Sequence, residues 1–265
     1  MKRFLIITIA ILGLASCSTV NSSTSAPVSY SETARQNFDF GETALKAGKY
    51  EEAQAYFDYV RNKYPYSKYA ADADLKVADA LYANSKWLEA ADAYDFFIRF
   101  HPAHEKAAYA YFRKAKADFS AMPVDFFLFP KSYTKDQAAT RDALDAIDRF
   151  VKQFPKDENV KEAQEMRVKL RSQLASLDMN VAKYYITIRK YKGAATRYED
   201  VINKFEDTPV AAKAMLELAL LKIERLGQKE EAKELLERLK KDHPESIEAK
   251  EADRQLGAFP KVSAS

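Results

Sequence analysis

The stretch Gly48-Lys49-Tyr50-Glu51-Glu52-Ala53, followed by Phe57, Val60 and Pro65, decides the fold, because its spacing returns along the chain. It comes back as Ser85-Lys86-Trp87-Leu88-Glu89-Ala90 with Tyr94, Phe97 and Pro102. It comes back again as Gly227-Gln228-Lys229-Glu230-Glu231-Ala232 with Leu236, Leu239 and Pro244. Two weaker copies carry Ala143, Ile147, Phe150 and Pro155, and Ala194, Tyr198 and Val201 without the proline. Each copy is a turn, a long or aromatic side chain, an alanine, apolar residues four and seven further on and, in all but the Ala194 copy, a closing proline. The spacing has a physical cause. The alanine lets two helices approach closely, the apolar residues share its face, and the proline cannot continue a helix.

Working outward, Gly41 and Ala78 each precede the key alanine by one helix and turn, where a small residue is again required. The pattern resembles tetratricopeptide repeats, whose unit of about 34 residues is a pair of antiparallel helices. The expected fold is all-α, a helical-hairpin solenoid of about five repeats, over roughly 34–66, 71–103, 108–156, 160–208 and 213–245. The third and fourth units depart from the regular length. In the third, Ala121-Met122-Pro123-Val124-Asp125-Phe126-Phe127-Leu128-Phe129-Pro130 intervenes. Two readings of it stay open: a loop packed over its own hairpin, or an exposed apolar segment for a partner.

Ahead of the repeats, Lys2 and Arg3 precede an apolar run from Phe4 to Leu14 that is too short to span a bilayer and has the length of a signal-peptide core. Leu14-Ala15-Ser16-Cys17 follows, the small-residue pattern of a lipoprotein cleavage site, and Cys17 is the one cysteine of the chain. The expectation is cleavage of 1–16 and lipidation of Cys17 at the head of a Ser/Thr-rich, disordered tether, 17–30. Ser18, in the place where an aspartate would favour inner-membrane retention, points toward the outer membrane. Two repeat blocks, 31–157 and 158–257, then precede a flexible tail, 258–265.

Removing 1–16 takes away two of 42 basic residues and none of 39 acidic ones, which leaves the body close to neutral. Nucleic acid is therefore not expected as a partner. No nucleophile motif, phosphate loop or paired-carboxylate signature is present, so no catalytic residue and no cofactor are assigned. His101 and His243 each precede a hairpin-ending proline, as a helix C-terminus favours, and His104 is separated from His101 by Pro102. No metal site is expected.

Binding remains, on the concave face formed by the first helix of each hairpin. The repeat frame points Arg35, Phe38, Glu42 and Lys46 inward from the first unit, and Asp72, Leu75, Asp79 and Tyr82 from the second. The third supplies Tyr109, Phe112, Lys116 and Phe119. Of these, Phe38, Asp79, Tyr82, Tyr109 and Phe112 are the candidate peptide-binding residues, rings interleaved with charge. The competing role for each ring is packing between hairpins.

Three stretches carry a closer resemblance: Tyr64-Pro65-Tyr66-Ser67-Lys68-Tyr69-Ala70, then Phe97-Ile98-Arg99-Phe100-His101-Pro102-Ala103-His104, then Val181-Ala182-Lys183-Tyr184-Tyr185 with Tyr191, Ala194-Ala195, Arg197 and the Asp207-Thr208 turn. With the lipobox, they make the chain similar to the BamD family, lipoproteins of the β-barrel assembly machinery in the Gram-negative outer membrane. The resemblance implies a non-enzymatic subunit on the periplasmic face of that membrane, with BamA, other assembly-machine lipoproteins and unfolded outer-membrane proteins as partners. It further implies that clients, read by an aromatic-ended C-terminal signal, meet the N-terminal repeats, and that Arg197 belongs to the BamA-facing end. Glu206 departs from the family's hairpin-ending proline, which suggests a looser turn, and Phe126-Phe127-Leu128-Phe129 is more apolar than the family's loop. The alternative is a periplasmic repeat lipoprotein that scaffolds cell-wall or division proteins. It shares the lipobox and hairpins but not the Tyr184-Tyr185 stretch.

Overall fold

Four of the five hairpin ends are written by the same local chemistry. In the computed structural model, which describes residues 28–122 and 137–259, Pro65, Pro102, Pro155 and Pro244 each follow a helix C-cap held near φ −130°, the extended conformation that a following proline favours. Inside the hairpins the turns share a second device. Gly48 (φ 74), Ser85 (φ 59), Arg189 (φ 57) and Gly227 (φ 70) all adopt the left-handed conformation two residues before the next helix starts. After the first three, a backbone bond returns to a carbonyl near the end of the preceding helix, as in Lys49 N to Ala44 O at 2.9 Å. Glycine adopts that conformation freely, whereas Ser85 and Arg189 hold it at some strain.

The resulting order is α1 (Ala34–Lys46), α2 (Tyr50–Lys63), α3 (Ala70–Ala83), α4 (Trp87–Phe100), α5 (Ala107–Ser120), α6 (Ala138–Gln153), α7 (Val160–Thr187), α8 (Tyr191–Lys204), α9 (Pro209–Leu221), α10 (Lys229–Asp242) and α11 (Ile247–Gly257). Antiparallel pairs α1–α2 through α9–α10 are the five hairpins. A single π turn, Lys222–Leu226, finishes α9, and α11 packs on α9 and α10 beyond the last repeat. No described helix is long and apolar enough to cross a membrane.

The repeat positions form the core. Ala53, Ala90, Ala143, Ala194 and Ala232 are at 0% exposure, and so are their partners four and seven residues on, from Phe57 and Val60 to Leu236 and Leu239. Close approach at the alanine is real packing: a Cβ on Gly41 would lie 2.7 Å from the buried ring of Phe57. Three apolar clusters follow the array. One joins α1–α4 to α5, a second joins α5 and α6 to the start of α7, and the third runs from the end of α7 to α11. The length of α7 is what links the last two. Ala163, Met166 and Leu170 feed the second cluster, while Ala175, Met179 and Ala182 feed the third. One continuous helix with neither Gly nor Pro therefore carries the middle of the molecule.

Two expectations change. The last residues of the segment read as a disordered tether are seated on α2. Tyr30 stacks on Tyr59 at 4.2 Å and Tyr56 donates to Ser29 O at 3.3 Å; just beyond the segment, Glu32 O accepts from Tyr64, the C-cap of α2, at 2.8 Å. Two tyrosines of α2, Tyr56 and Tyr59, give this stretch something to bury, which its own composition does not reveal. The turn at Glu206 is also firmly tied despite lacking proline. Arg171 Nε donates to Asp207 Oδ1 at 2.8 Å and its Nη2 to Lys204 O at 2.5 Å, while Arg167 Nη1 reaches Asp207 Oδ2 at 3.0 Å. Phe205 still holds the C-cap near φ −129°, and these bonds from α7 brace the turn that follows. Cys17 and the Phe126–Phe129 segment lie outside the described residues.

Candidate functional site on the first helices

The first helices of the N-terminal hairpins are joined side chain to side chain. Lys76 on α3 meets Glu42 of α1 at 2.8 Å and lies 3.8 Å from Asp79 Oδ2. Asp79 Oδ1 accepts from Tyr94 of α4 at 2.6 Å and from Tyr109 of α5 at 2.8 Å. Lys106, just before α5, reaches Asp72 at 2.6 Å, and Lys116 of α5 reaches Glu162 of α7 at 2.7 Å. The ladder thus runs α1–α3–α5–α7 along one face.

Its centre is an arginine that the repeat frame did not single out. Arg113 stacks its guanidinium 4.1 Å from the ring of Tyr82 and lies within 6 Å of the rings of Tyr109 and Tyr94, at 5.7 and 5.9 Å. Its Nε donates to the Tyr94 hydroxyl at 3.1 Å, so Tyr94 accepts from Arg113 and donates to Asp79. Tyr82 Oη and Ser120 Oγ lie 3.2 Å apart, and Ser120 donates to Lys116 O. Burial first, and then the neighbouring Asp79 carboxylate, push the Tyr94 and Tyr109 hydroxyls well above the usual tyrosine range. Both stay protonated and keep donating. Such a network orients rings and fixes a cation, and it lacks the nucleophile–base pairing of a reacting centre. Among the described residues no group of three or more His, Cys, Asp or Glu is placed to hold a metal ion.

The candidate residues separate accordingly. Asp79, Tyr82 and Tyr109 come together in the network, and Tyr109 is 37% exposed. Phe112 is a correction: it is 5% exposed and packs on Phe150 at 5.4 Å, inside the second cluster. A residue one step along a helix turns by about 100°, so the face carries Tyr109 and Arg113 while Phe112 points inward. Leu75, at the same repeat position, is buried for the same reason. Phe38 is half-buried and joins the rings of Phe57 and Tyr69, at 5.4 and 5.5 Å, so it supports the face more than it presents a ring. Arg113 was missed because its partners come from three helices. The one cue in the sequence was its place four residues after Tyr109.

At the other end, Arg197 on α8 lies 3.9 Å from Asp178 and 3.7 Å from Asp200, with its side chain 40% exposed. Those long contacts leave its guanidinium available. The tyrosine pair splits: Tyr185 packs against the third cluster, while Tyr184 is 61% exposed at the end of α7 beside exposed Ile188.

A family model described as outer membrane lipoprotein matches residues 31–239, from the start of α1 into α10. Outer membrane protein assembly factor BamD of Caulobacter vibrioides is 29% identical over 196 residues, 74% of this chain and 61% of that protein. The protein of the same name from Neisseria meningitidis serogroup B is 26% identical over 233 residues, 85% of this chain and 86% of its own length. A solved structure of a repeat protein from Bacteroides fragilis aligns at a TM-score of 0.47 and 14% identity, over 86% of this chain and 99% of that one. With one family match running through all five hairpins, the chain belongs to the BamD family of outer membrane lipoproteins.

Proposed function

We propose that this chain is a non-catalytic subunit of the machinery that folds β-barrels into the outer membrane. A lipid on Cys17 holds it at the periplasmic face. The N-terminal repeats, 31–157, receive unfolded outer-membrane proteins, and the C-terminal repeats, 158–257, hold BamA. The observation that carries this reading is the ladder on α1, α3 and α5, where fixed rings and charges stand along one face of a family whose named members are assembly factors. An extended chain needs such a face: rings take up its side chains, and oriented polar groups hold its backbone or its terminus. Arg197 and exposed Tyr184 offer the opposite end a cation and an aromatic anchor for a folded partner.

The test is co-purification combined with depletion. Tagged chain extracted from membranes should bring down BamA and other assembly-machine lipoproteins, and depleting it should lower the level of outer-membrane barrels. Arg197→Glu should reduce BamA recovery, and Cys17→Ala should release the protein into the soluble periplasm. Normal barrel levels after depletion, with no BamA recovered, would rule the reading out.

A further inference from the structure

The arginines of this protein divide by what they face. Among the described residues, every arginine except Arg113 either has a carboxylate within salt-bridge distance or stands exposed to water. Arg113 is half-buried and has no such carboxylate. Asp79 acts on it across space, and the hydrogen-bonded path between them runs through the Tyr94 hydroxyl. Taking a guanidinium out of water without a directly paired anion is unfavourable, and folded proteins seldom retain one unless something else completes it.

The fixation of this group shows what would complete it. Stacking on Tyr82 and the Nε bond to Tyr94 set the plane of the guanidinium. One of its five N–H donors is committed, and the donors on both Nη atoms remain, in the fork that matches a carboxylate with two parallel bonds. The Tyr82 and Ser120 hydroxyls beside it are committed to one another and to Lys116 O, and the partly exposed ring of Tyr109 offers an apolar surface to whatever bears the anion.

We propose that Arg113, caged by Tyr82, Tyr94 and Tyr109, is a carboxylate-binding site for an extended peptide. The carboxylate comes from the peptide's C-terminus or from an Asp or Glu side chain. The site rests on the reading of this face as the client-receiving surface. Tyr94 acts as a positioning residue, since it touches the peptide only through Arg113.

Two measurements on the full-length lipidated chain in detergent test it separately from that reading. In the first, arginine-selective ¹⁵N labelling follows the Arg113 Nε resonance during titration with N-acetyl-phenylalanine, its amide, and N-acetyl-aspartic acid amide. Either carboxylate should shift the resonance and the uncharged amide should not, with the stronger of the two identifying the source. No shift with either carboxylate overturns the site. In the second, a barrel-derived C-terminal peptide is titrated onto wild type, Arg113→Gln and Arg113→Lys. Arg113→Gln should weaken binding by about ten- to a hundredfold with helicity unchanged, and Arg113→Lys by less, since the charge stays while the fork is lost. Equal affinity of wild type and Arg113→Gln overturns the site and leaves the client reading standing. Wild type that shifts with carboxylates but captures no client peptide keeps the site and removes the client reading.

Discussion

Tyr94 in the second hairpin and Tyr198 in the fourth occupy the same place in the repeat, four residues after the key alanine, and both are at 0% exposure. Their hydroxyls have opposite fates. That of Tyr94 donates to Asp79 and accepts from Arg113, whereas that of Tyr198 is buried with no hydrogen-bond partner. Burial, with the nearby Glu217 carboxylate adding to it, pushes the Tyr198 hydroxyl up to about 12. The same side chain at the same position therefore does two jobs. In the C-terminal half it fills space between helices. In the N-terminal half the same volume is filled and the polar end is drawn into a network on the first-helix face. A repeat position fixes where a side chain goes, while its neighbours on adjacent helices decide whether its polar end joins a network.

The largest effect that would break this contrast is expected from Asp79→Ala. It removes the acceptor of one buried and one partly exposed hydroxyl and should destabilise the fold by about 3 kcal/mol, measured by urea unfolding. A change below about 1 kcal/mol would mean that the network contributes little. Next is alkaline stability. The folded Tyr198 value lies above the unfolded value of 10.0, so its contribution is whole below pH 10 and is lost as pH climbs toward about 12. That loss amounts to about 3 kcal/mol from this residue. Unfolding followed by circular dichroism across that range should be steep in wild type and flatter in Tyr198→Phe.

Tyr94→Phe comes third. Losing a hydrogen bond to a charged acceptor should destabilise by about 2 kcal/mol and weaken peptide capture through the freed Arg113, read by urea unfolding and by peptide titration. The mirror substitution, Tyr198→Phe, should have the smallest effect and the opposite sign. It deletes an unpartnered hydroxyl and should leave stability unchanged or raise it by about 1 kcal/mol in the same urea assay. Equal losses from the two tyrosine substitutions would erase the comparison.

The hairpins were legible because their signal is repeated. Alanine, the two apolar positions and the closing proline recur with fixed spacing, and each copy supports the others. The site was only half legible. Asp79, Tyr82 and Tyr109, placed on the first-helix face by the repeat frame, meet there in the network. Phe112 was assigned to the wrong face, because an aromatic at helical spacing serves a core or a groove equally well and one step of helix separates the two. Arg113 could not be found from spacing alone, since Tyr82, Tyr94 and Asp79 lie on other helices and only the packed hairpins bring them to it. The seat of Tyr30 on Tyr59 and the arginine bonds to Asp207 were hidden for the same reason. The long α7 was foreshadowed by the absence of any glycine or proline between Val160 and Thr187, and α11 by no repeat signal at all.

Under the proposed function the two halves hold different partners, with the client on the N-terminal face. Photo-crosslinking in living cells tests it most directly. A photoreactive phenylalanine analogue is placed at Tyr109 in one strain and at Tyr184 in another, both solvent-accessible positions. The Tyr109 position should capture unfolded outer-membrane barrels, and the Tyr184 position should capture BamA with little client. Client captured at Tyr184 and absent at Tyr109 would contradict the account.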